Sequence, residues 1–366
     1  MVSGTYQKMR AVHHGDMRSV LRILLALLVL CSAVACGAAD DTCSGDDATP
    51  VKLHPEFSNG ARFGAIRVLG SVRLATRSVD GLTVHGLSGL AWSALQRRLY
   101  AVSDRGFVLH LTPRIADGML VGASYCAAYA LQDQYGAALN GRWRDAEGLS
   151  LRARGANADE ELLISFEQYP RIARYSRDGR LLGALQLPAE LRDLSHYAGP
   201  NRALEALTET RRFGVIVAPE SALAPASHGS IPLFSLHGGR WAFHSLDTRH
   251  GGLVGLETLP DDNLLVLERR YISPFHPLII ALSRVTLTAA PIPTATQQEL
   301  ARFDTTAGWS MDNFESVAHH EANRYFMISD DNASPLQHTL LMYFEIMGNE
   351  AAAAPRALPA APLSRH

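Results

Sequence analysis

The 366-residue sequence predicts an all-β fold, a β-propeller of six blades. Three observations carry that expectation. One short unit recurs five times along the chain. Turn signals bound its apolar strands. Long amphipathic helical patterns are scarce, apart from a short candidate at residues 189–195.

The chain opens with a targeting pattern. Residues 23–35 are apolar or small apart from Ser32, and Lys8, Arg10, Arg18 and Arg22 precede them. Positive, then apolar, then small residues is the order of a secretory signal. The run is shorter than the ~20 apolar residues a spanning helix needs. Residues 1–35 are therefore expected to be a signal peptide, and the mature protein is expected in the periplasm or cell envelope. Ala33 and Ala35 satisfy an ordinary A-x-A cleavage site, and the same residues resemble a lipoprotein box with Cys36 as the lipidated residue. Both readings stay open, and membrane contact is expected only through such an anchor.

Residues 36–60 are rich in Ala, Asp, Gly, Thr and Pro and read as a tether. Residues 61–347 form the propeller body, and residues 348–366 an Ala- and Pro-rich disordered tail. Cys31 leaves with the signal. If Cys36 carries lipid, Cys43 and Cys126 remain to form one disulfide in an oxidising compartment.

Composition bounds the function. Hydrophobic residues are 47% and charged residues 19%, enough for a sizeable core. Basic and acidic residues nearly cancel, 34 against 36, which argues against nucleic-acid binding by bulk positive charge. Loss of residues 1–35 takes the formal charge from −2 to −5.

Each copy of the unit has an anchor residue, then a small residue, then an aliphatic one. A turn follows, and a short apolar strand ends on an acid. The anchors are Ser88, Glu147, Glu205, Glu257 and Glu315, spaced by 59, 58, 52 and 58. The strand ends are Asp104, Glu167, Glu220, Glu268 and Asp330. Small sheets that cannot bury both faces alone stack around a central channel. The body from Arg62 to Met347 spans 286 residues, about six blades at roughly 45–50 residues each. A sixth blade is expected to combine residues 66–74 with residues 339–346. The count also admits five or seven blades, and two stacked β-sandwiches are the main alternative.

Equivalent positions in a propeller lie on one circle, so these carboxylates are expected around one channel mouth. Like charges in proximity raise pKa values, and a hard cation such as Ca²⁺ relieves the repulsion. Asp312, Asn313, Asp331 and Asn332 offer further oxygens. A single acid of this kind more often accepts backbone N–H bonds; the repetition singles out the ring. Arg105, Arg171, Arg269 and Arg270 follow the acidic strand ends and suit an anionic group, or pair with the acids themselves. Ser88 resembles the serine of a nucleophile elbow, but it precedes a strand and fills an anchor slot. His85, His319 and His320 are weak candidates for a base or ligand.

The strings GLSGLAW…RLYAVSDRG, DAEGLSL…LLISFEQYPRI, LEAL…VIVAPES, GLETLPDDNLLVLERR and NFESVAHH…YFMISDDN resemble the phytase-like propeller family, described as having esterase-like activity. The resemblance runs from about Arg62 to Glu345. It implies a secreted propeller that hydrolyses phosphate or other esters, and by analogy with calcium-dependent phytases it suggests Ca²⁺ as cofactor. Fold alone does not fix function.

The expected protein is a calcium-supported hydrolase of small anionic esters. Glu257 and Glu315 are its candidate catalytic carboxylates. Asp104, Glu147, Glu167, Glu205, Glu220, Glu268 and Asp330 are its candidate metal ligands, and Arg105, Arg171, Arg269 and Arg270 its substrate-binding residues. The alternative is a non-catalytic envelope propeller that binds a ligand or protein partner. A metal-dependent lactonase or carboxylic ester hydrolase is a third class.

Overall fold

The computed structural model describes Cys43 and residues 45–348, apart from 155–158, 200, 225–229, 248, 274 and 290–293. The signal segment, Cys36 and residues 349–366 lie outside the described residues. No described helix is long and apolar enough to cross a membrane.

The fold is a five-bladed β-propeller, not a six-bladed one. The first blade is formed by Leu87–Ser93, Arg98–Ser103, Phe107–Ala116 and Met119–Ala130. The second comprises Ala146–Arg154, Asp159–Phe166, Arg171–Tyr175 and Leu181–Leu185. The third comprises Leu204–Thr210, Gly214–Pro219, Ser230–Ser235 and Arg240–His244. The fourth comprises Gly251–Thr258, Leu264–Arg270, Ile279–Thr288 and Thr294–Asp304. The fifth begins with Asn313–Glu321, Arg324–Asp330 and Leu340–Ile346.

Ile66–Leu74 then pairs antiparallel with Leu340–Ile346, from Leu340 opposite Arg73 to Ile346 opposite Ile66. The expected closure between these two segments therefore exists. It completes the fifth blade rather than building a sixth, because the fifth copy supplies only three strands of its own. Closure removes the edge that its third strand would expose.

The first strand of every blade lies against the first strands of its neighbours, and the fifth meets the first. These inner strands are buried on both faces; Leu204–Thr210 is buried at every position but Glu209. Outermost strands alternate instead. Arg240–His244 shows Trp241 and Phe243 inward and Arg240, Ala242 and His244 to solvent.

The hydrophobic core is layered between blades. In the second blade Leu162, Ile164 and Phe166 pack toward the first blade, while Leu163 packs toward the third. Successive residues of one strand thus serve two interfaces, as the two-residue period of a strand requires.

Each inner strand carries a register irregularity near its start. It falls between Leu87 and Gly89, Ala146 and Leu149, Leu204 and Ala206, Leu253 and Gly255, and Phe314 and Ser316. The bulge turns one side chain out of the ladder. The small residue beside it has a steric cause. A Cβ on Gly89 would stand 2.5 Å from the Glu147 carbonyl oxygen, and one on Gly148 would stand 2.6 Å from that of Glu205. Where the residue is Ser316, its hydroxyl accepts from Leu90 N across the interface at 2.9 Å.

The stretch read as a tether belongs to the propeller from Cys43 on. Ala48–Pro50 pairs with Val72, Arg73 and Leu74. Asp47 is buried, accepts from Tyr125 N at 2.8 Å and pairs with Arg77. His54 is buried against Phe57 and Trp309. Cys43 and Cys126 form a disulfide across 83 residues, which fixes this segment to the outer strand of the first blade.

The Gly148→Ala substitution is expected to lower the unfolding free energy by about 1–3 kcal/mol, because the added methyl meets the Glu205 carbonyl oxygen of the next blade as well as the buried Ser165 and Leu207 side chains. Urea unfolding measures this, and an unchanged midpoint would show that the inner strands are free to move apart.

Candidate functional site

The bulges and the ends of the second strands meet at one mouth of the channel, around a cavity of about 590 Å³. The inner strands contribute Ser88, Glu147, Glu205 and Glu315. The second-strand ends contribute Asp104, Glu167, Glu220, Arg269 and Asp330. Asp145 adds another carboxylate, and Arg105, Arg142, Arg144, Gln168, Asn201 and Asn332 complete the lining.

The fourth blade breaks the pattern, and here the sequence expectation is corrected. Register places Val254, not Glu257, at its bulge, and Arg269, not Glu268, at the position of the acidic strand ends. The sequence Leu253-Val254-Gly255-Leu256-Glu257-Thr258-Leu259 fits the repeat twice, three residues apart. Only the first fit is used.

Glu257 does not line the cavity. It accepts from Thr258 N at 2.6 Å and from His319 N at 3.0 Å, a bridge between the fourth and fifth blades. Glu268 accepts from Leu246 N at 2.7 Å and from the Ser245 hydroxyl, and holds a loop. Arg270 pairs with Asp247 at 2.8 Å. Arg171 lies over the Phe166 ring at 3.5 Å and lines a different pocket. These four residues are structural here or serve elsewhere. Arg105 is at the cavity rim, 3.3 Å from Asp104.

Of the further oxygens, Asn332 lines the cavity. Asp312 accepts from His338 N at 2.7 Å, and Asp331 from Gly86 N at 3.1 Å. Both fasten loops. His320 bonds the Tyr343 hydroxyl at 2.8 Å, and burial lowers its pKa.

Arg269 is the resident cation of the ring. Its Nη2 donates to Glu220 at 3.2 Å, and its Nη1 donates to Asn313 and Glu315. Burial opposes its charge, but Glu315, Glu220 and Glu205 outweigh that and hold its pKa above the usual value. It thus bridges the third and fifth blades where the fourth lacks an acid.

Among the described residues, Glu147 and Glu167 on the far side have no ion-pair partner of this kind, and crowding and burial set the pKa values around the ring. Loss of water and the neighbours Glu205 and Glu167 raise the pKa of Glu147 well above the ordinary range. Glu205 is raised likewise, by burial and then by Glu167 and Glu220. Burial and Asp145 push Glu167 up to about 8. Burial and Glu315 push Asp330 up to about 8. Burial raises Asp104, and burial with Asp104 raises Asp145. Glu315 is raised by burial even though Arg269 works against the shift.

Asp145, Glu147 and Glu167 bring ligand atoms within 4.8 Å of one another. Asp145 Oδ2 and Ser88 Oγ are buried atoms with no hydrogen-bond partner. This donor set, hard oxygens with spare lone pairs and raised pKa values, fits a divalent cation of the Ca²⁺ type. Asp145 escaped the repeat reading because it precedes the anchor. Its signal is the Asp-x-Glu spacing, which in extended chain puts both side chains on one side. Arg142 and Arg144 come from a short 3₁₀ turn, Gly141–Trp143, and the residue after it, and had no repeat signal.

The chain matches one family over residues 82–333, more than half its length. It belongs to the phytase-like family, described as esterase-like activity of phytase. No curated protein matches this phytase-like chain. Among solved structures it is similar to XC5397 from Xanthomonas campestris, titled a gluconolactonase, at 13% identity and a TM-score of 0.40, over 83% of this chain and 99% of that one. It is also similar to the Cps50 (Swd1) β-propeller domain of Myceliophteria thermophila, at 11% identity and a TM-score of 0.36, over 81% and 99%. Likeness at this level carries no functional argument.

The raised carboxylates set a sign for pH dependence. Glu167 and Asp330 rise from 4.5 and 3.8 to about 8, so the cation-free protein takes up protons on folding. Their contribution is fully present below the unfolded-chain values and is lost as pH rises through about 8. The thermal midpoint in EDTA is expected to fall between about pH 5 and about pH 9. A midpoint that climbs over this interval would contradict the crowding of these acids.

Proposed function

We propose that this phytase-like propeller is a hydrolase of phosphate or other esters in the cell envelope, and that a divalent cation, calcium first, supports it. The carboxylate cavity carries this reading. It gathers seven ring acids and Asp145 around one mouth, and the buried Arg269 offsets only part of that charge. Asp145, Glu147 and Glu167 would hold the ion, with Gln168 beside them. A bound cation would polarise the ester oxygens and make water a better nucleophile at neutral pH.

The protein's own groups do the rest. Arg105, Arg142 and Arg144 at the rim hold the anionic part of the substrate and offset charge that develops on it. Asp330 lines the cavity, retains a proton near neutral pH and would give it to the leaving oxygen. Glu315, already paired with Arg269, keeps that guanidinium in place and is a positioning residue. The N-terminal segment delivers the chain across the inner membrane, with Cys36 as a lipid anchor if the lipoprotein box is used.

The test is a panel of p-nitrophenyl phosphate, p-nitrophenyl acetate and a γ-lactone. Turnover on at least one is expected, with loss in EDTA and recovery on adding calcium. Glu167→Gln is expected to cut turnover by about a hundredfold. Glu257→Gln, away from the cavity, is expected to stay within about twofold of wild type. A folded, calcium-bound protein inactive on all three would contradict hydrolysis and favour a binding platform.

A further inference from the structure

A second pocket, of about 500 Å³, lies beside the carboxylate cavity and is chemically its opposite. The 3₁₀ turn Gly141–Trp143 separates the two: Arg142 lines the cavity, and Trp143 lines the pocket. Leu139, Trp143, Tyr175 and Leu181 form mainly apolar walls, and Ala173 and Ala184 leave the space between them open.

Arg171 is the charged group that distinguishes this pocket. Its guanidinium packs over Phe166 and donates to the carbonyl oxygens of Tyr169, at 3.2 Å, and Trp143. Burial lowers its pKa only to about 10, so it remains a cation at neutral pH. Among the described residues no carboxylate lies within ion-pair distance of it. Three other part-buried arginines do have one: Arg174 pairs with Glu161 at 2.9 Å, Arg152 with Glu209 at 2.8 Å and Arg270 with Asp247 at 2.8 Å. Asp133 also lines the pocket, but its Oδ1 accepts from Tyr135 N and Ala137 N at 2.8 and 2.9 Å and holds the loop. A part-buried cation is ordinarily paired, and a guanidinium presents a fork that matches a carboxylate.

We propose that this pocket is a binding site for a small aromatic carboxylate. The ring lies against Trp143, Tyr175 and Leu139, and the carboxylate pairs with the Arg171 guanidinium, whose partners among the described residues are two carbonyl oxygens and the Tyr175 side chain. The site is independent of the cation and of ester hydrolysis next door. Its volume suits a one- or two-ring molecule.

Calorimetric titration of the full chain with 2-naphthoate tests this. Saturable binding is expected, with at least about tenfold weaker affinity for the neutral 2-naphthamide and in Arg171→Gln. Ala184→Phe, on the outermost strand of the second blade, fills the pocket while retaining the Arg171 side chain and is expected to abolish binding. It serves as the control if Arg171→Gln fails to fold. Glu147→Gln, in the neighbouring cavity, is expected to bind as wild type does. Equal affinity for acid and amide, loss of binding in folded Glu147→Gln, or no saturable heat would each overturn the proposal.

Discussion

Backbone-to-backbone contact between inner strands leaves the bulged residue only one direction to point, into the channel. Four of those residues are Ser88, Glu147, Glu205 and Glu315, and the second-strand ends add Asp104, Glu167, Glu220 and Asp330. Packing has therefore forced like charges close together around one mouth, where each ionised acid disfavours the next. The remaining features of the site are responses to that crowding. Some acids hold protons to higher pH. Arg269 is drawn in among Glu220, Glu315 and Asn313. On the opposite side, Asp145, Glu147 and Glu167 bring ligand atoms within 4.8 Å of one another.

The ring is therefore asymmetric, and the fourth blade is the cause. Val254 supplies no charge and Arg269 supplies the opposite one, so this blade converts one sector of the ring into closed ion pairs. The sector of the first and second blades keeps unpartnered oxygens on Ser88 and Asp145. A hard cation and an anionic ester fit that open sector, with Arg142 and Arg144 at its rim. The turn that carries those arginines also walls off the aromatic pocket, so two chemically distinct spaces share one short segment.

Much of this was legible in the sequence because a propeller repeats its geometry. Once anchors and strand ends recur, a shared circle follows, and eight of the ten assigned repeat positions do line the cavity. The failures have local causes. The fourth copy fits the motif at Val254 and again at Glu257, and composition cannot tell which residue sits in the bulge. Glu268 and Arg269 then differ by one place, which in a strand reverses the side they face. Dividing 286 residues by a blade of roughly 45–50 predicts six blades, but the blades are longer than that and Ile66–Leu74 fills the vacancy in the fifth. Asp47, Leu53 and His54 looked like tether because their partners, Tyr125, Trp309 and others, lie far along the chain. Arg171 and Arg270 follow acidic strand ends in sequence, but each faces away from the channel toward its own blade's neighbours.

The central claim is that the open sector of the ring is a cation site. The most direct measurement is an anomalous difference map from crystals soaked in calcium. The account predicts a peak about 2.3–2.6 Å from carboxylate oxygens of Asp145, Glu147 and Glu167. A map at saturating calcium with no density there would contradict it and leave the acids as proton-sharing structural groups.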